Sequence, residues 1–285
     1  MSHLVKLFSA LFLSIIITGC AIDVSPRSFV YQAKEKTPLD TTGLHAAANK
    51  DEISIGITTV EMTNSQGLTL TGVAVNYPEP IANIVFFGGN GMSISQANGY
   101  IHRLGQLPAN ILWIDYQGMG ASEKAAQVEI DNLKQDALQV FDYAKEVFPQ
   151  DLPTVVHGLS MGSLIATYVA AEREVSGLVL EGAINGVPEL VDNMIPIWSK
   201  LFTNVNLHPE LAEIDNGILL EQYEGPLLLI VGEKDRTTPV KFTEQLYRLS
   251  RSNNKSMYIV PDADHGTTMK KPGTIKKYRD FVGSF

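Results

Sequence analysis

A single cysteine, Cys20, occurs in 285 residues, so no disulfide can form within the chain. Basic residues are in the minority: 22 Lys and Arg stand against 31 Asp and Glu, for a net charge of −9. That balance argues against a nucleic-acid partner and against simple electrostatic adhesion to anionic lipid. No pair of His or Cys residues shows ligand spacing on one element, so no metal is implied. No Gly-x-Gly-x-x-Gly opens a helix after the first strand, which leaves no nucleotide cofactor to expect. The sequence contains no internal repeat and no low-complexity segment. The apolar run at 7–17 is too short for a comfortable membrane span.

What the N-terminus does have is order. His3 and Lys6 precede the run 7–17, and Ile17-Thr18-Gly19-Cys20 follows it. A basic start, an apolar middle and a small residue before the break read as a secretory signal. The tetrapeptide resembles the lipobox of bacterial lipoproteins, in which cleavage precedes the cysteine and its sulfur carries diacylglycerol. The resemblance implies a signal peptide over 1–19 and a lipid anchor on Cys20. It also implies a place in the cell envelope, and Ala21 and Ile22 in place of an aspartate point to the outer membrane, facing the periplasm. A chance cysteine in an uncleaved anchor is the alternative. Residues 20–52 are polar and weakly patterned, with Pro26, Pro38 and Gly43. They read as a lipidated tether, either free or with segments packed on the domain, before a domain over 53–285.

Hydrophobic residues make up 45% of the chain, enough for one large core. From 53 onward short β-type runs alternate with helical stretches, the pattern of a mostly parallel sheet covered on both faces. Segments 53–62 and 67–77 alternate apolar and polar residues about an Asn64-Ser65-Gln66-Gly67 turn, and predict an antiparallel edge hairpin. Strands follow at 81–87, 110–115, 152–157, 177–180, 226–231 and 256–260. Helices are expected at 95–107, 127–147, 160–174, 239–250 and 273–282.

Ser160 lies in Gly158-Leu159-Ser160-Met161-Gly162, between a short β-branched strand and a helical stretch. This is the pattern of a nucleophile elbow, in which a strained turn lifts a serine hydroxyl clear of the sheet. A serine nucleophile needs a base for its proton and an acid to orient that base. Asp235 and His265 follow in that order, each in a loop at the carboxyl end of a strand, where open α/β sheets build their sites. Asp262 and Asp264 are rival acids, disfavoured because they adjoin His265 in sequence. His157 reads as structural or as a supporting donor, Glu181 as a buried carboxylate near the site, and Asp115 as the organiser of a glycine loop.

On these residues the stretch from 53 to 285 resembles the α/β-hydrolase superfamily, most nearly serine hydrolases of the monoglyceride-lipase and Bem46-like type. Gly232-Glu233-Lys234-Asp235 matches that type's loop before the acid. Asp115-Tyr116-Gln117-Gly118-Met119-Gly120-Ala121-Ser122 matches its loop after the fourth strand. The usual His-Gly of the oxyanion loop is replaced by Gly88-Gly89-Asn90-Gly91. The resemblance implies an eight-stranded, mostly parallel sheet with helices on both faces and at most a small cap. It implies a triad of Ser160, Asp235 and His265, and an oxyanion hole from the backbone N–H groups of Met161 and Asn90. Gly89, Gly91 and Met92 would border the substrate.

Lids in this superfamily usually follow the sixth strand, here within 183–225. Leu190, Val191, Met194, Ile195, Ile197, Trp198, Leu201 and Phe202 there are read either as core or as an acyl-binding wall beside Ser160. The expected activity is hydrolysis of a small carboxylic ester of short to medium acyl length, with no cofactor. The same triad would serve a thioesterase, a peptidase or a perhydrolase. A non-catalytic lipoprotein binding a partner or a lipid is the remaining alternative.

Overall fold

A computed structural model describes residues 20–48 and 55–285. The expected signal peptide therefore lies outside the described residues, as do 49–54. Eight strands form the main sheet: β2 (Gly56–Thr63), β3 (Thr69–Asn76), β4 (Ala82–Phe87), β5 (Ala109–Ile114), β6 (Thr154–Leu159), β7 (Gly177–Glu181), β9 (Leu227–Gly232) and β10 (Lys255–Val260). Their order is β10-β9-β7-β6-β4-β5-β3-β2, with only the β2–β3 and β3–β5 pairings antiparallel. The edge hairpin, the parallel centre and the strand positions agree with the sequence pattern to within a few residues.

Period-two alternation divides the apolar residues of the central strands between two layers. Val85, Phe87, Leu112, Val156, Leu180 and Leu229 face one core. Ile84, Phe86, Trp113, Val155, Val179 and Ile230 face the other. The first layer is roofed by helices α3 (Ile130–Val147), α4 (Met161–Glu172) and α6 (Val240–Leu249), the second by α1 (Thr41–Ala48), α2 (Asn98–Leu104) and α7 (Pro272–Val282). In α3, Leu133, Ala137, Val140, Phe141 and Ala144 form the buried stripe that the helical spacing predicts.

Two segments are decided by the tertiary structure. The stretch 20–48 is not a free tether: it is folded onto the domain. Val30, Leu44, Ala47 and Ala48 are buried, and α1 packs on α2. Backbone bonds run from Ala33 N–H to the Gly118 carbonyl (2.8 Å) and from Thr37 N–H to the Gly120 carbonyl (2.7 Å). Before α1 the arm is thus held by single anchors and by hydrogen bonds to loops, which leave no periodicity in its sequence; in α1 the buried Leu44, Ala47 and Ala48 follow helical spacing over only two turns.

The second such segment is the cap. Here α5 (Val187–Met194) buries Val187 and Leu190, but Met194, Ile197, Trp198, Leu201 and Phe202 face outward. They are not core. The reason is a small second sheet: β1 (Cys20–Val24) pairs in parallel with β8 (Thr203–Leu207), from Cys20 with Thr203 to Val24 with Leu207. This pairing joins the arm to the cap and holds the stretch before β8 away from the core.

Candidate active site

The strand β6 ends at Leu159 and α4 begins at Met161, so the whole reversal falls on Ser160. Its backbone sits at φ 54 and ψ −118, a region a serine occupies only when its surroundings force it. The forcing is visible. A Cβ on Gly158 would collide with the carbonyl of Gly162, and one on Gly162 with the carbonyl of Phe87. Two glycines therefore let strand, helix and the loop after β4 close on one point. The Ser160 N–H donates to the Glu181 carbonyl at 2.9 Å, which locks the turn to β7.

Asp235 and His265 come together at the same sheet edge. Asp235 is buried, with its Oδ2 2.8 Å from His265 Nδ1, while the imidazole is 27% exposed. The carboxylate is fully engaged. Its Oδ1 accepts the N–H groups of Thr237 (2.9 Å) and Thr238 (2.8 Å), and its Oδ2 accepts the Thr238 hydroxyl (2.9 Å). With the carboxylate as acceptor, Nδ1 carries the proton and Nε2 presents its lone pair. The Thr238 hydroxyl also lies 3.1 Å from His265 Nδ1. Thr238 was missed in the sequence, although an Asp with a Thr three residues on is a turn pattern that could have signalled it.

The imidazole stands over Gly182, which has φ 52; a Cβ there would lie 3.0 Å from His265 Cε1. Gly182 follows the residue that receives the Ser160 N–H, so elbow and imidazole flank the end of β7. The rival acids sit elsewhere. Asp262 is paired with Lys234 at 2.7 Å, and Asp264 Oδ1 accepts the hydroxyl of Thr267 at 2.8 Å.

The glycine loop after β4 lies against the elbow: a Cβ on Gly89 would sit 3.6 Å from that of Ser160. Tyr116 fixes this loop by donating its hydroxyl to the Gly88 carbonyl at 3.0 Å. The Met161 N–H, at the first turn of α4, is among the donors a helix leaves without an internal partner. Asn90 is gripped by the arm. Its Nδ2 donates to the Phe29 carbonyl and its Oδ1 accepts the Tyr31 N–H, both at 2.8 Å. Tyr31 covers Gly91 and Met92 packs by Gly88, so these two residues close that side of the loop. A cavity of about 310 Å³ lies instead on the Met161 side, walled by Val30, Leu133, Met161, Leu164, Tyr168 and Ile218 among others. Ser160, Asp235, His265, Gly89, Gly91 and Met92 are not among its lining residues.

Behind the elbow lies a second, sealed cluster. Glu181 and His157 are both buried, with Glu181 Oε2 3.3 Å from His157 Nε2. Tyr100 and Thr268 donate their hydroxyls to the same carboxylate. Burial pushes the Glu181 carboxyl up, but His157 and the two hydroxyls outweigh that and hold it below the usual range. Asp115 organises the loop after β5, accepting the N–H groups of Ile94 and Ala121, each at 2.9 Å. Burial raises its carboxyl to about 6.

Sheet order, elbow and loops define an α/β-hydrolase, and the chain belongs to that superfamily. Residues 78–219 match the family model described as "Serine aminopeptidase, S33". Human Protein ABHD12B is 26% identical over 194 residues, covering 61% of this chain and 52% of that protein. An uncharacterized membrane protein of Saccharomyces cerevisiae is 27% identical over 180 residues, covering 62% of each. The match thus spans about half to three-fifths of these relatives' lengths. Among solved structures, the esterase Pf2001 of Pyrococcus furiosus superposes with a TM-score of 0.67 at 17% identity, covering 90% of this chain and 99% of that one. An acetyl xylan esterase from Paenibacillus gives 0.63 at 14%, covering 91% and 98%. At such identities the likeness is one of fold.

Proposed function

We propose that this hydrolase cleaves carboxylic esters of short to medium acyl length through an acyl-enzyme on Ser160. The observation that carries the reading is the strained Ser160 at the tip of the elbow, with the Asp235–His265 pair at 2.8 Å on the same sheet edge. His265, oriented by Asp235, takes the Ser160 proton as the oxygen attacks the substrate carbonyl. The N–H groups of Met161 and Asn90 hold the developing oxyanion, an arrangement in which one lost donor costs ~10²–10³ in rate. His265 then protonates the leaving alcohol and activates the water that frees the acid. The 310 Å³ cavity beside Met161 receives the acyl group; its size is at the lower end of ligand pockets, roughly 300–1,000 Å³.

In the same reading the chain is a cell-envelope lipoprotein, with 1–19 removed and Cys20 anchoring it to the outer membrane. The esterases among its structural relatives make esters the first class to try. Intact-mass analysis after treatment with a fluorophosphonate tests the nucleophile. One adduct on the native chain and none on Ser160→Ala is expected, and no adduct on the folded native chain would sink the assignment. Matched ester, thioester and amide substrates with one acyl group then rank the bond cleaved.

A further inference from the structure

Four large apolar side chains stand in water on one short stretch of the cap: Met194 (69% exposed), Ile197 (86%), Trp198 (76%) and Leu201 (88%). Keeping such surface hydrated costs roughly 25 cal/mol per Å², and a contiguous patch of this kind marks a contact with something apolar. Between Met194 and Phe202 the only charged side chain is Lys200, and Asp192 neutralises it at 2.6 Å. Within 194–202 no charge is left unmatched to oppose entry into lipid.

The β1–β8 register says what the patch meets. Cys20 pairs with Thr203, the residue directly after Phe202. Neighbouring strands lie about 4.8 Å apart. The point where the chain leaves its apolar N-terminal run is therefore next to the exposed stretch. Ile22, paired with Val205, adds a further exposed apolar side chain on the same small sheet. The patch also adjoins the site: Asn193 Nδ2 donates to the carbonyls of Arg236 and Thr237, at 3.3 and 3.4 Å, on the loop that carries Asp235.

We infer that 194–202 is a bilayer-docking surface, seated in lipid beside the N-terminal segment and holding the Ser160 cleft against the membrane. Its substrate is then an ester drawn from that bilayer, a clause that rests on the hydrolase reading proposed above. The docking itself requires only an apolar run or an anchor ending at Cys20. Trp198 suits the task, since an indole favours the boundary between headgroups and acyl chains.

The test uses the full chain reconstituted in phosphatidylethanolamine–phosphatidylglycerol vesicles containing bromine-labelled phosphatidylcholine. The chain has two tryptophans, and Trp113 is buried in the core, so quenching by lipid reads Trp198. Quenched emission in the native chain, lost in Trp198→Phe, is expected. Unquenched emission from vesicle-bound native chain overturns the inference and leaves the patch to a second copy or to residues 1–19. The double variant Ile197→Ser, Leu201→Ser should lose on the order of tenfold in hydrolysis of a vesicle-embedded ester. Its turnover of a water-soluble ester and its fluorophosphonate labelling should not change. An equal loss on both substrates would assign the patch to the cleft and overturn docking. A native chain that shows the quenching but cleaves no ester keeps the docking and retires the ester reading.

Discussion

Two histidine–carboxylate pairs stand at the same end of the sheet, and they differ in what can reach them. His265 with Asp235 keeps the imidazole 27% exposed over a buried acid, whereas His157 with Glu181 is sealed, at 0% and 2%. The same two side-chain types thus meet once beside the cleft and once behind it. In the open pair the acid is satisfied by Thr237 and Thr238 and holds the imidazole through Nδ1. In the sealed pair Tyr100 from α2 and Thr268, three residues past His265, close on the carboxylate. The first arrangement leaves an oriented imidazole within reach of solvent, as the proposed base requires. The second ties the histidine loop, β6, β7 and α2 into one body, a positioning role for Glu181.

The sharpest break between the pairs is expected in turnover. Ser160→Ala should lower ester turnover by ~10⁴ or more while the protein stays folded, and Asp235→Asn should cost nearly as much. Esterase kinetics with a circular-dichroism control check both. Glu181→Gln should instead be read in stability. It removes a buried charge and points an amide at groups that donate, so a loss of about 3 kcal/mol is expected in urea unfolding. Turnover per folded molecule should fall by less than about tenfold. A Glu181→Gln protein of native stability, or one as inactive as Asp235→Asn, would erase the distinction drawn here.

A buried carboxylate away from both pairs gives a smaller, pH-dependent contrast. Asp136 accepts Asn64 Nδ2 and Gln117 Nε2, each at 2.8 Å. Burial raises its carboxyl to about 6, above what those two donors counter. An unfolded Asp titrates near 3.9, so between about 4 and 6 the folded state holds the extra proton. Stability from this group therefore falls as pH rises through that window, and its full cost stands above it. Asp136→Asn should flatten that part of the profile, matching the native Tm near pH 4 and exceeding it at pH 7. Gln117 Oε1 has no partner among the described residues, so its amide can turn to meet the new side chain. Scanning calorimetry across pH reads the effect. The smallest change is expected from Asp262→Asn, whose exposed pair with Lys234 is screened by solvent. Unchanged turnover there, beside a damaged Asp235→Asn, separates the acid from its rival.

The sheet and the elbow were legible in the residues because their signals are local and periodic. Apolar runs at β4, β5, β6 and β9, the stripe along α3 and the glycines about Ser160 each act within a few positions. Asp235 could be preferred to Asp262 and Asp264 because those two adjoin His265 in sequence, and in the structure Asp235 stands 2.8 Å from His265. The N-terminal arm gave little such signal: the i, i+3, i+4 spacing of Leu44, Ala47 and Ala48 spans only two turns. Val30, Leu44 and Asn90's two bonds to Phe29 and Tyr31 are single, long-range contacts.

What the sequence determined alone was the class of fold, the order Ser160, Asp235, His265, and the acidic, cysteine-poor character that narrows the partners. Which apolar residues of 183–225 are core and which face water was left to the tertiary structure, because helical spacing marks an apolar face without naming its neighbour. The same holds for β1 against β8, two five-residue strands 183 residues apart at Asp23 and Asn206. Their pairing depends on where the whole domain brings the chain, and it is that pairing which sets Cys20 beside the exposed cap.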